Sequence, residues 1–257
     1  MCQLLGMNCN VPTDICFSFE GFCARGGKTD EHRDGWGIAF FEGRGCRVFL
    51  DDKPSIASPI AAFIRRYPIQ SMNVIAHIRK ATIGAVGLEN CHPFRRELWG
   101  RYWVFAHNGD LPGFEAAPGD IYRPVGETDS ERAFCLILNM LRSAFPDQKP
   151  ALQELYALLK TVTGQIARFG TFNYLLSDGQ HFFAHCSTHL CYIVRQAPFA
   201  AAHLIDEDVS VDFQELTTPS DRVAVIATTP LTDNEVWTPI QPGELLVFYD
   251  GQPYPIL

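Results

Sequence analysis

The chain begins Met1-Cys2-Gln3-Leu4-Leu5-Gly6 and later reads Phe105-Ala106-His107-Asn108-Gly109. The first of these stretches puts a cysteine directly behind the initiating methionine. A side chain as small as that of Cys2 lets methionine aminopeptidase remove Met1. The new terminal residue then carries a thiol and a free α-amine together. Such an amine titrates near about 7.7 to 8.0, so much of it is neutral at physiological pH. A neutral amine takes a thiol proton, directly or through water, and so supplies nucleophile and base in one residue. Taken alone, Cys2 is better read as the first residue of a buried strand. The residues farther along the chain decide between the two readings.

Composition sets the frame. The chain has 257 residues, 47% hydrophobic and 19% charged, enough for one large domain or two small ones around a sizeable core. A formal charge of -8 argues against nucleic acid or an anionic membrane as the main partner. The N-terminal stretch lacks the basic and apolar regions of a signal peptide, and no apolar run is long enough to span a bilayer. A soluble, cytoplasmic protein is expected, with its nine cysteines mostly reduced. Cys2, Cys9, Cys16 and Cys23 recur every seven residues, unlike the close cysteine pairs of structural zinc sites, so no metal is expected. If residues 14–22 are helical, Cys16 and Cys23 share one face and pack as small hydrophobes.

Alternation and turn signals predict strands at Ile38–Phe41, Arg47–Leu50, Val74–Ile78, Trp103–His107 and Thr171–Leu176. Later strands are predicted at His181–His185, Leu190–Val194, Arg222–Ala227 and Leu245–Tyr249. Helices are predicted at Pro59–Arg66, Ser130–Phe145 and Ala151–Phe169. Thr128 or Asp129 is placed to cap the second of these, with Glu131 in its first turn. The Pro- and Gly-rich stretch Pro112–Val125 reads as a loop near a site. Many strands with two adjacent long helices point to a layered α+β domain.

Six short motifs then follow in order: Cys2 to Gly6, Asp34-Gly35-Trp36-Gly37, His77-Ile78-Arg79-Lys80-Ala81-Thr82, His92-Pro93-Phe94, His107-Asn108-Gly109 and Glu127-Thr128-Asp129-Ser130-Glu131. Each is weak alone. Asn-Gly is a common hairpin pair, and Asp129 would serve as a helix cap. Together, with Cys2 in place, they resemble the class II (N-terminal cysteine) glutamine amidotransferases. The likeness is greatest to the stand-alone branch, in which no synthase domain is fused. That branch is similar to γ-glutamyl hydrolases of ergothioneine synthesis and of glutathione breakdown. Phe172 to Gly179 extends the resemblance beyond the first half of the chain.

The resemblance implies a four-layer αββα sandwich, the N-terminal-nucleophile hydrolase fold, formed by residues 1–257 as a single glutaminase domain. It implies that Cys2 attacks the γ-amide of glutamine, giving a γ-glutamyl thioester and then glutamate and ammonia. Asn108 and Gly109 would form the oxyanion hole, Gly109 through a backbone N–H that no Cβ obstructs. Arg79 would grip the substrate α-carboxylate, with Thr82 adding a hydroxyl, because a guanidinium fork matches a carboxylate. Asp129 would pair with the α-ammonium. Asp34, Gly35, Trp36 and Lys80 are assigned to the site wall. Lys80 stands where many fused enzymes carry Trp, and the R-G-x-D-S form of those enzymes is missing near residues 32–37. His32, His77, His92 and His107 are read as structural. No cofactor is implied. The alternatives are a γ-glutamyl hydrolase acting on another amide or peptide, and a non-catalytic glutamine-binding regulator. An ammonia-accepting partner protein belongs to the first reading.

Overall fold

A computed structural model describes residues 2–115 and 121–256. Residues 116–120 of the expected loop Pro112–Val125 lie outside the described residues. The strands in chain order are β1 (Gln3–Thr13), β2 (Trp36–Glu42), β3 (Gly45–Asp51), β4 (Ser71–Ile78), β5 (Phe94–Leu98), β6 (Arg101–Asn108), β7 (Asn173–Ser177) and β8 (Phe182–His185). They continue as β9 (Cys191–Gln196), β10 (Ala201–His203), β11 (Ser210–Asp212), β12 (Arg222–Ala227), β13 (Thr238–Pro239), β14 (Leu245–Tyr249) and β15 (Gln252–Pro253). The α-helices are α1 (Cys16–Ala24), α2 (Pro59–Ile64), α3 (Asp129–Ala144) and α4 (Leu152–Ile166).

Two antiparallel sheets carry the architecture, one in the order β13-β9-β12-β1-β4-β2-β3 and one in the order β15-β14-β8-β7-β6-β5. Successive side chains of a strand point to opposite faces, and the strands use both faces. Leu4, Ala39, Ile75, Ala224 and Ile226 of the first sheet meet Val104, Ala106, Leu175, Phe182 and Phe248 of the second in one buried cluster. Their neighbours Leu5, Ile38, Phe40, Val74 and Val225 turn outward against Phe19 and Phe22 of α1 and Ile64 of α2. On the other side Trp103, Phe105, Tyr174 and Phe183 pack against Phe134, Ile137, Leu141, Leu155 and Leu159 of α3 and α4. Three apolar interfaces separate four layers, in the order helix, sheet, sheet, helix. This is the N-terminal-nucleophile hydrolase architecture.

Gly6 makes room for a side chain of the facing sheet. A Cβ there would lie 2.4 Å from Cζ of Phe182 on the facing sheet. The helix α3 begins as its sequence dictates: the Thr128 hydroxyl accepts from the Glu131 amide at 3.2 Å. Asp129 is therefore the first helical residue and Thr128 the cap. The predicted third helix ends at Ile166, and Ala167–Phe169 form a tighter single turn. Cys16 and Cys23 do lie on one short helix, α1. All nine cysteines are free. Among the described residues no group of three His, Cys, Asp or Glu side chains gathers in a way that would hold a metal ion. Among them, too, no helix is long and apolar enough to cross a membrane.

His77 and His92 are buried between the layers, with ring centroids 4.2 Å apart. Burial, with the neighbouring His107 adding to it, pushes His77 down to about 3. Burial likewise holds His92 well below the usual imidazole range. Both rings are neutral in the folded protein, whereas in the unfolded chain they take up protons below about pH 6.5. Their contribution is therefore constant above that value and is lost progressively as pH falls, by up to about 1.4 kcal/mol per pH unit for each ring. The urea midpoint should drop between about pH 7 and about pH 5, well above ordinary carboxylate titration. A midpoint constant over that interval would contradict the burial of these rings as neutral groups.

Candidate active site

The site is built from strand ends. Gln3 of β1 pairs with Ile78, the last residue of β4, and Leu5 pairs with Ala227, the last residue of β12. Cys2 thus sits just beyond the register, beside the residues that leave β4. Its Sγ lies 3.3 Å from the amide nitrogen of Lys80 and 3.4 Å from the Lys80 carbonyl oxygen. The amide of Arg79 donates to the Gly35 carbonyl at 2.8 Å, and the amide of Asp34 donates to the Arg79 carbonyl at 3.1 Å. The Asp34 carboxylate accepts the Ala81 amide at 2.8 Å, which fixes the turn after Lys80.

The second sheet contributes the end of β6. Asn108 is fully buried, and its Nδ2 donates to Oγ1 of Thr228 at 3.3 Å. The amide of Leu4 donates to the same oxygen at 2.9 Å. Thr228 therefore ties the start of β1 to the end of β6 across the two sheets. One of the two Nδ2 protons is used there, leaving the other available. The Asn108 Oδ1 has no partner among the described residues. At Gly109 a Cβ would lie 1.9 Å from the Thr171 carbonyl oxygen, so only glycine fits.

The charged groups are sequestered. Arg79 is 3% exposed and Asp129 is 5% exposed. The Arg79 guanidinium donates to the carbonyls of Ile83, Gly84 and Ala85 at 2.9, 3.2 and 3.0 Å. These bonds hold the loop after Thr82 over the site. The Asp129 carboxylate accepts the amides of Leu111 and Ser130, each at 2.7 Å. Thr82 donates its hydroxyl to the Asp110 carboxylate. Lys80 reaches outward, its Nζ 3.4 Å from Glu31.

Electrostatics at Cys2 favour the thiol. Burial pushes its pKa up, the Lys80 amide and the Arg79 charge pull it down, and the Asp110 carboxylate adds to the rise. A base is therefore needed to make the thiolate. Neither His77 nor His92 is placed to act: both rings are buried and neutral. A free α-amine on Cys2 arises only when Met1 is removed.

The structure gathers Cys2, Asp34, Gly35, Arg79 and Lys80 at one end of the first sheet. Asn108, Gly109 and Asp129 come to the same end from the second sheet and α3. Trp36 is different: its ring is buried against Phe19, at a centroid distance of 5.8 Å, within the core beneath α1. Two neighbours escaped the sequence reading. Asp110 follows the His-Asn-Gly motif directly, and that adjacency was its signal. Thr228 follows a buried strand and carries no motif at all. A cavity of about 300 Å³ lined by Phe17, Arg195 and Phe213 lies toward the far end of β1 and involves none of these groups.

Known proteins resemble this chain along nearly its whole length. The family model for class II glutamine amidotransferases matches residues 1–256. A protein of Escherichia coli (strain K12) named "Putative glutamine amidotransferase YafJ" is 53% identical over 98% of this chain and 99% of its own length. A crystal structure of a predicted glutamine amidotransferase from Pseudomonas aeruginosa PA01 shares 49% identity and a TM-score of 0.80, covering 98% of this chain and 99% of that one. The glutamine phosphoribosylpyrophosphate amidotransferase of B. subtilis shares only 14% identity. It matches the fold with a TM-score of 0.60 over 98% of this chain and 48% of its own. An N-terminal-nucleophile fold, a cysteine at its first strand and a full-length family match lead to one conclusion: this chain belongs to the class II glutamine amidotransferases.

Proposed function

We propose that the chain, once Met1 is removed, is a single-domain glutaminase that hydrolyses the γ-amide of glutamine through a thioester on Cys2. The observation that carries this reading is the meeting of Cys2 Sγ with the Lys80 amide at 3.3 Å, one residue from the buried Arg79. In this reading the α-amine of Cys2 takes the thiol proton. The sulfur attacks the amide carbon, and the oxyanion receives Nδ2 of Asn108 and the N–H of Gly109. The amine passes its proton to the leaving nitrogen, and ammonia departs. Water then attacks the thioester, and the amine, now a base, accepts a proton from it. Glutamate leaves and the thiol is restored.

Recognition uses both ends of the amino acid. Arg79 takes the α-carboxylate, exchanging one or more loop carbonyls for a charged acceptor, and Thr82 adds its hydroxyl. A carboxylate brings a full opposite charge and two oxygens that match the guanidinium fork, which favours that exchange over a neutral carbonyl. Asp129 takes the α-ammonium. Its carboxylate is held by two backbone amides, so it is oriented before substrate arrives.

Processed wild-type protein should release ammonia from glutamine, and Cys2→Ala should release none. Full activity in Cys2→Ala would remove the mechanism. Asn108→Ala should lower kcat by about 100- to 1,000-fold with a much smaller change in KM, because the oxyanion exists only along the reaction path. An equal loss in binding would contradict that role. Gly109→Ala should cost as much or more, since its methyl meets the Thr171 carbonyl. Steady-state ammonia assays on folded variants check both. Assaying glutamine beside a panel of γ-glutamyl amides identifies the preferred leaving group.

A further inference from the structure

His107 is buried and contacts two groups. Its Nε2 lies 3.0 Å from the Thr171 carbonyl oxygen. A carbonyl only accepts, so Nε2 carries the ring proton. Burial lowers the His107 pKa, which keeps the ring neutral. Nδ1 is then a bare acceptor, and its partner is Oγ of Ser130 at 2.8 Å. The Ser130 hydroxyl has one proton and two acceptors in reach. The other is Oδ1 of Asp129, at 3.3 Å. The shorter contact goes to His107.

We propose that His107 is a positioning residue for cation recognition: by accepting the Ser130 proton at Nδ1, it keeps that hydroxyl off the Asp129 carboxylate, so that Oδ1, which accepts the Ser130 amide at 2.7 Å, keeps its second lone pair for a substrate ammonium. The proposal rests on the reading of Asp129 as the ammonium-binding group. It gives the His-Asn-Gly motif a second use. Thr171, whose carbonyl excludes any side chain at Gly109, also fixes the His107 tautomer. The turn that carries the oxyanion donors and the helix end that carries Asp129 are thus joined through one imidazole.

The consequence is a specific rescue. Phenylalanine fills the imidazole position without a ring nitrogen, in a place already lined by Phe172 at a centroid distance of 5.1 Å. In His107→Phe the Ser130 hydroxyl turns to Asp129 and competes with the ammonium. KM for glutamine should rise by about tenfold while kcat stays within about threefold. Adding Ser130→Ala removes the competing proton, and KM should return most of the way. A purely structural role for His107 predicts the opposite, a double variant at least as impaired as the single one, and that result would overturn the proposal.

Should the variants fail to fold, the native protein decides. Nitrogen-15 NMR of labelled histidine should show His107 protonated at Nε2 with Nδ1 accepting a hydrogen bond. An Nδ1-protonated or cationic ring near about pH 7 overturns the proposal. Failure of the wild-type enzyme to turn over glutamine counts instead against the glutaminase reading, and the NMR result still assigns the Ser130 proton.

Discussion

The packing of the two sheets on each other, with Phe182 filling the space left by Gly6, brings the two halves of the site together. β1 lies inside its sheet, hydrogen-bonded to β4 on one side and β12 on the other. Its register leaves Cys2 just past Gln3, level with the exit from β4. A slip of one residue would exchange Leu4 and Leu5 between the inter-sheet core and the helical face. It would also move the sulfur by about 3.3 Å, out of reach of the Lys80 amide. The same packing sets β6 against β1 and β4, so Asn108 and Leu4 share the Thr228 hydroxyl. A thiol at the start of one sheet and an amide at the end of the other are brought together by apolar contact. Hydrogen bonds then fix their orientation.

Much of this was legible in the residues, for reasons that differ by element. Arg222–Ala227 and Leu245–Tyr249 are short apolar runs bounded by turn residues, and the strands fall on those bounds. The helix Asp129–Ala144 announced itself through spacing and cap. β1 was less plain: Met7, Cys9 and Val11 alternate with Asn8, Asn10 and Pro12, but a glycine, two asparagines and a proline are residues that strands disfavour. Asn8 is buried there with partners for its amide, donating to Asn73 and accepting from the Gly251 amide. β5 was also missed. It is an edge strand carrying Arg95, Arg96 and Glu97, charges that suit an edge and hide a strand. The four-layer order follows from which faces meet, and no local pattern carries that information.

The site divides in the same way. Motif residues were legible as types and order: Cys2, Arg79, Asn108, Gly109 and Asp129 do come to one end of the sandwich. Their present partners were not legible. Arg79 holds three loop carbonyls, and Thr228 bridges the sheets from a segment with no motif. The Thr228 contacts depend on long-range register, and those of Arg79 on how the next loop folds back, neither of which a single sequence spells out. Trp36 shows the limit most plainly, since its neighbours Asp34 and Gly35 flank Arg79 while its own ring turns into the core. His77, His92 and His107 form a neutral, buried group, leaving proton transfer to the terminal amine of the proposed mechanism.

Covalent capture at the chain's first mature residue tests the account most directly. Protein mixed with glutamine, quenched in acid and digested should yield an N-terminal peptide that starts at Cys2 and carries a γ-glutamyl group on sulfur. Steady turnover of glutamine with that peptide unmodified, or still bearing Met1, would contradict the account.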